Sequence, residues 1–181
     1  MMLHRKKQIS GKHCFWLKCI FVAVAAFLFF TYVAEGICIS GRSMENILHD
    51  GDRAVMDKLS YRFSDPKRFD VVVFPSPYDK SESIIKRIIG LPGETVQITG
   101  DGKILINGEV LEENYGKETI QDAGTASSLV TLGADEYFVL GDNRNHSIDS
   151  RWPEIGKIKR NMIIGKAAFC FYSGKICLQK L

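Results

Sequence analysis

Thr95-Val96-Gln97-Ile98-Thr99-Gly100-Asp101-Gly102-Lys103-Ile104-Leu105-Ile106-Asn107-Gly108-Glu109-Val110 alternates short apolar runs with two turn dipeptides, Asp101-Gly102 and Asn107-Gly108. Tight hairpins need positive φ at their central residues, which Gly and Asn tolerate and bulky residues do not. The stretch predicts a small antiparallel meander. The same grammar extends outward: Arg53-Ala54-Val55-Met56-Asp57, Asp70-Val71-Val72-Val73-Phe74 and Tyr137-Phe138-Val139-Leu140 are short β-branched or aromatic runs bounded by turn residues. Pro75 and Pro77 mark a strand exit. Trp152-Pro153 reads as a packing anchor and turn. Residues 111–133 are more polar and less periodic, so that about 95–136 reads as a hairpin-and-loop excursion from the main body. The expected fold is mostly β.

Composition agrees, with 45% hydrophobic residues, 25% charged residues and 16 glycines in 181 residues. The N-terminus is different. Cys19 to Ala34 carries no charge, and extension back to Cys14 gives about 21 residues if Lys18 reaches to the interface, enough to span the hydrocarbon. Arg5, Lys6, Lys7 and Lys12 precede this run, and the positive-inside rule leaves them cytoplasmic. Residues 1–13 are thus expected to be a cytoplasmic basic N-terminus, 14–35 a single transmembrane anchor of the cell membrane, and 36–181 an extracytoplasmic domain. A cleavable signal peptide is the rival, but Glu35 and the bulky Tyr32-Val33 make a poor small-x-small cleavage site. The formal charge of +3 resides in this basic segment, and the remainder is about neutral, which argues against nucleic-acid binding.

The four histidines, at 4, 13, 49 and 146, stand at no metal-ligand spacing from a cysteine, so neither metal nor cofactor is expected. A two-residue turn at Ser173-Gly174 would set Cys170 opposite Cys177. A disulfide there and two buried thiols are both open readings, the wider spacing of a hydrogen-bonded pair suiting a bridge less well.

Chemistry is carried by a serine just past the apolar run, in Ser40-Gly41-Arg42-Ser43-Met44, and a lysine in Ile84-Ile85-Lys86-Arg87-Ile88-Ile89-Gly90-Leu91-Pro92-Gly93. A serine hydroxyl needs a base, and lysine serves only if burial lowers its pKa. In a strand Lys86 shares a face with Ile84 and Ile88, an apolar setting of that kind. Arg87 cannot be the base, because guanidinium is not deprotonated in proteins. Ser43 lies eight residue steps beyond Glu35, at most about 28 Å from the membrane surface at ~3.5 Å per step. Its substrate is expected to present a scissile bond at that depth.

Ser43-Met44, Asp50-Gly51-Asp52-Arg53, Lys86 through Gly93, and Gly141-Asp142-Asn143-Arg144-Asn145-His146-Ser147-Ile148-Asp149-Ser150-Arg151 occur in that order. In these blocks, from the anchor to about Gly165, the chain resembles type I signal peptidases of the single-anchor Gram-positive kind. The resemblance implies a fold of coiled antiparallel sheets, shared with SOS repressors, behind one N-terminal transmembrane helix. It implies a serine endopeptidase that removes signal peptides from exported preproteins, preferring small side chains at the first and third positions before the cut. Membrane lipid and transient contact with the secretion machinery complete the implied partners. Ser43 would be the nucleophile, with its N–H an oxyanion donor, and Lys86 the general base. Ser147 would hydrogen-bond and orient the lysine, and Asp149 and Arg151 would form a supporting ion pair. Gly41 stands where some relatives offer a hydroxyl donor. His146, near Ser147 and Asp149, and His49 read as exposed loop residues rather than bases. The pattern breaks at Glu45-Asn46-Ile47-Leu48, where relatives read x-Pro-Thr-Leu, which removes a fixed φ beside the nucleophile. That break keeps a non-peptidase pilus-assembly reading in view. An SOS-repressor-type autoprotease is the other alternative, disfavoured by the anchor.

Overall fold

The computed structural model describes residues 11–79, 81–172 and 175–177, with side chains for 14–79 and 81–170. Helix α1, Gly11–Tyr32, contains the apolar run and is long and apolar enough to cross a membrane, with none of that run buried against the rest of the protein. It passes almost directly into strand β1, Ala34–Cys38. Ala34 and Glu35, expected at the end of the membrane segment, are therefore strand residues. Val33 joins the two elements: its N–H donates to the Phe29 carbonyl at 2.8 Å, and its own carbonyl accepts from the Lys58 N–H at 2.9 Å.

The remaining elements are β2 Arg53–Asp57, the single-turn helix α2 Ser60–Phe63, β3 Val71–Pro75, β4 Ser83–Gly90, β5 Thr95–Ile98, β6 Ile104–Ile106 and β7 Glu109–Val110. β8 Val130–Thr131, β9 Glu136–Leu140, β10 Ile158–Lys159, β11 Gly165–Tyr172 and β12 Lys175–Cys177 follow. One antiparallel sheet runs β1-β2-β11-β3-β4-β9-β10, with β12 also paired to β11; the other runs β7-β6-β5-β8. The expected meander is the second sheet, and its Asn107-Gly108 turn has φ of 51° and 84°, the left-handed values that dipeptide supplies.

Alternation along the strands distributes apolar side chains to three buried clusters. Val71 and Val73 join Ile39, Met44, Leu48 and Met56 in one cluster, whereas Val72, Phe74 and Ile88 join Tyr137 and Val139 in another. A third forms where the small sheet meets the large one, from Ile89, Phe138 and Leu140 with Val96, Ile98, Ile104 and Ile106. Ile120, Ala126 and Leu132 are buried in that third cluster, so the 111–133 stretch contributes to the core instead of only looping away from it. The sparse apolar residues there are spaced for irregular backbone, which hides them from a periodicity reading. Cys170 is buried and pairs in register with Cys177, as a two-residue turn requires. Ser173, Gly174 and the Cys177 side chain lie outside the described residues.

Candidate active site

Ser43 sits in the loop between β1 and β2, and Lys86 in the middle of β4. The buried side chains of Met44 and Leu48 hold the loop down on the sheet. Lys86 Nζ donates to Ser43 Oγ at 2.7 Å and to the Ile85 carbonyl at 3.1 Å. Ile84 and Ile88, its neighbours on the same strand face, both pack into one apolar cluster. Lys86 is only 4% exposed, and this burial lowers its pKa from 10.5 to about 8, against the opposing pull of Asp149 and Asp142. The pair lies in a cleft of about 390 Å³ lined on one side by residues 37–41 and on the other by 82–86. β4 pairs with β3 through Ser83 to Arg87 but with β9 only from Arg87 onward, so its first half presents an unpaired edge among the described residues.

Asp149 and Arg151 make a fully buried, bidentate ion pair, Nε to Oδ1 at 2.8 Å and Nη2 to Oδ2 at 2.9 Å. Asp149 Oδ2 also accepts the Gly141 N–H at 3.0 Å, which fixes the end of β9 beside the site. Close approach requires glycine there. A Cβ on residue 141 would stand 2.2 Å from Ser147 Oγ and 2.5 Å from the Ser43 carbonyl. Ser147 Oγ is buried but has no hydrogen-bond partner among the described residues, so the expected bond to Lys86 is not made in this structure. Gly41 adopts φ 90° and spends its N–H on Asp50 Oδ1 at 2.8 Å. His146 is exposed, and His49, also exposed, lies 3.6 Å from Asp52.

Two further features did not emerge from the sequence. Arg87, 1% exposed, forms a second bidentate buried pair with Asp142 at 2.9 and 2.8 Å, donates to the Phe69 carbonyl at 2.8 Å, and lies 3.9 Å over the Tyr115 ring. An arginine inside an apolar strand demands a buried acid, and that demand was the available signal. Asn143 donates its N–H to the Ser43 carbonyl at 3.0 Å and its Nδ2 to the Arg42 carbonyl at 3.0 Å, tying the serine loop to the β9 end.

The family described as signal peptidase, peptidase S26, matches residues 14–172. A signal peptidase I of Leptolyngbya laminosa is 45% identical over 150 residues, covering 78% of this chain and 70% of that protein. Signal peptidase I P of Bacillus subtilis subsp. natto is 32% identical over 179 residues, covering 94% and 95%. A crystal structure of a signal peptidase I from Enterococcus faecalis V583 is 38% identical and covers 57% of this chain and 97% of that one, with a TM-score of 0.47. With a family match over most of its length, a relative 45% identical over 150 residues and another aligned nearly end to end, the chain belongs to the signal peptidase family, peptidase S26, and is a serine endopeptidase of the signal peptidase I type.

Proposed function

We propose that this protein is a single-pass membrane endopeptidase that removes signal peptides from exported preproteins with a Ser43–Lys86 dyad. The observation that carries the reading is the 2.7 Å contact between Ser43 Oγ and a lysine amine that burial brings to about pKa 8. A neutral Lys86 takes the hydroxyl proton as Ser43 Oγ attacks the scissile carbonyl. The Ser43 N–H is the donor assigned to the developing oxyanion. Collapse of the tetrahedral intermediate breaks the C–N bond, and the lysine ammonium returns its proton to the departing amine. Water, deprotonated by the same amine, then hydrolyses the acyl-enzyme and regenerates Ser43.

Asp149 and Arg151 act as the buried support of this site. The unpaired edge of β4 suits an extended peptide, which adds backbone hydrogen bonds to an open strand edge. With α1 in the bilayer and the basic N-terminus cytoplasmic, the cleft works outside, close to the membrane, on preproteins delivered by the secretion machinery.

Ser43→Ala and Lys86→Ala are each expected to abolish cleavage of a preprotein by purified full-length protein in detergent while thermal unfolding stays cooperative. Turnover retained by either variant removes the dyad.

A further inference from the structure

The loop that carries Ser43 is held from outside by a second contact surface. Asn46 has φ 141°, and its Nδ2 donates to the Tyr115 carbonyl at 3.2 Å. Next to it the Glu45 carboxylate accepts from three residues: Arg42 through Nε at 2.5 Å and Nη2 at 3.3 Å, Lys117 Nζ at 3.2 Å and Asn143 Nδ2 at 3.3 Å. Arg42 belongs to the loop itself, whereas Lys117 and Asn143 reach it from two other parts of the chain. The 113–117 stretch is itself rooted in the buried interior: the Tyr115 ring lies against Arg87, the Lys117 N–H donates to the Asp142 carbonyl at 2.8 Å, and Arg144 Nη1 donates to Glu113 Oε1 at 2.7 Å.

We propose that Glu45 and Asn46 are positioning residues that lash the Ser43 loop to the 113–117 stretch, and that this lashing, not a rigid backbone residue, aims Ser43 at Lys86. The proposal rests on Ser43 being the nucleophile. Its logic is that Met44 and Leu48 bury only the apolar side of the loop, leaving its polar side to be fixed by contacts. Proline, the residue the resemblance predicts at position 46, holds φ near −65°, so it cannot adopt the observed φ of 141° and has no side-chain donor for Tyr115. The loop is built around asparagine. Glu45 and Lys117 are partly exposed, so each contact is weak alone and the set works by number.

The test compares kcat and KM of full-length protein in detergent on a small-x-small peptide. Glu45→Ala is expected to lower kcat about tenfold or more with KM within about twofold, the pattern of a misaimed nucleophile. Glu45→Gln, which keeps an acceptor for Asn143 and Lys117, is expected to restore most of that loss. Adding Lys117→Met to Glu45→Ala is expected to cost little more, and Asn46→Pro is expected to lower kcat at least as far as Glu45→Ala. Hydrogen exchange of residues 43–48, read by mass spectrometry, is expected to quicken in Glu45→Ala at unchanged melting temperature. Wild-type kcat in Glu45→Ala or Asn46→Pro, or a loss confined to KM, overturns the proposal. If wild type and Ser43→Ala are equally inactive, the functional reading fails instead; hydrogen exchange then decides the lashing alone, unchanged exchange overturning it.

Discussion

Lys86 is pulled in two directions. Burial and Arg151 disfavour its charge, while Asp149 and Asp142 favour it, and burial prevails to leave the pKa at about 8. Activity that depends on the neutral amine is therefore expected to rise with pH, log kcat/KM climbing with unit slope to a plateau above about pH 8. A pH–rate profile with its midpoint near the histidine value would point to another base. Stability follows the same linkage. Between about pH 8 and 10.5 the unfolded chain holds a proton on this lysine that the folded protein has released, so folding stability rises with pH across that window. Below pH 8 both states are protonated, and the buried charge costs roughly 3 kcal/mol, about 1.4 per unit of pKa. Lys86→Met is expected to lose the pH-dependent segment and to exceed wild type in urea resistance at neutral pH, as paired denaturation curves at neutral and alkaline pH would show.

Strand β4 carries two cations side by side with opposite fates. Lys86 has no ion-paired acid among the described residues and is poised to lose its proton; Arg87, the next residue, is neutralised by Asp142 in a pair that is 1% and 0% exposed. Breaking a buried pair strands its partner. Asp142→Asn is expected to cost ~3–5 kcal/mol in urea unfolding, while the double variant Arg87→Met/Asp142→Leu recovers much of that loss. The two cations also mark how far the sequence could be read. The meander was legible because Asn107-Gly108 dictates its own turn, and Lys86 because it stands in one of the blocks that carry the family resemblance, its isoleucine neighbours two residues away adding only an apolar setting. Asp142 stands 55 positions from Arg87, and Lys117 stands 72 positions from Glu45, with no periodicity linking either pair. Glu45-Asn46 was legible only as a departure from a pattern. The chain folding around it supplies its meaning.

At the scale of the whole molecule, the sheet puts the cleft within one strand of the helix. β1 follows α1 after a single residue, and residues 37–41, its last two residues and their continuation, form one wall of the cleft. Val33 is bonded both back into the helix and across to Lys58, just past the end of β2, so the junction between helix and sheet is tied on both sides. Inserting a flexible Gly-Ser segment between Val33 and Ala34 is expected to spare cleavage of a free peptide and to slow cleavage of a membrane-inserted precursor, compared in the same proteoliposomes. A helix fused in this way to its cargo transmits angle as well as position. Apolar helices tilt to match the thickness of the hydrocarbon around them, and with α1 in the bilayer as proposed, that tilt would turn the sheet and its cleft with it. On that proposed topology acyl-chain length becomes a setting for the cleft's attitude to the bilayer, one that a soluble peptide would not feel and an inserted precursor would.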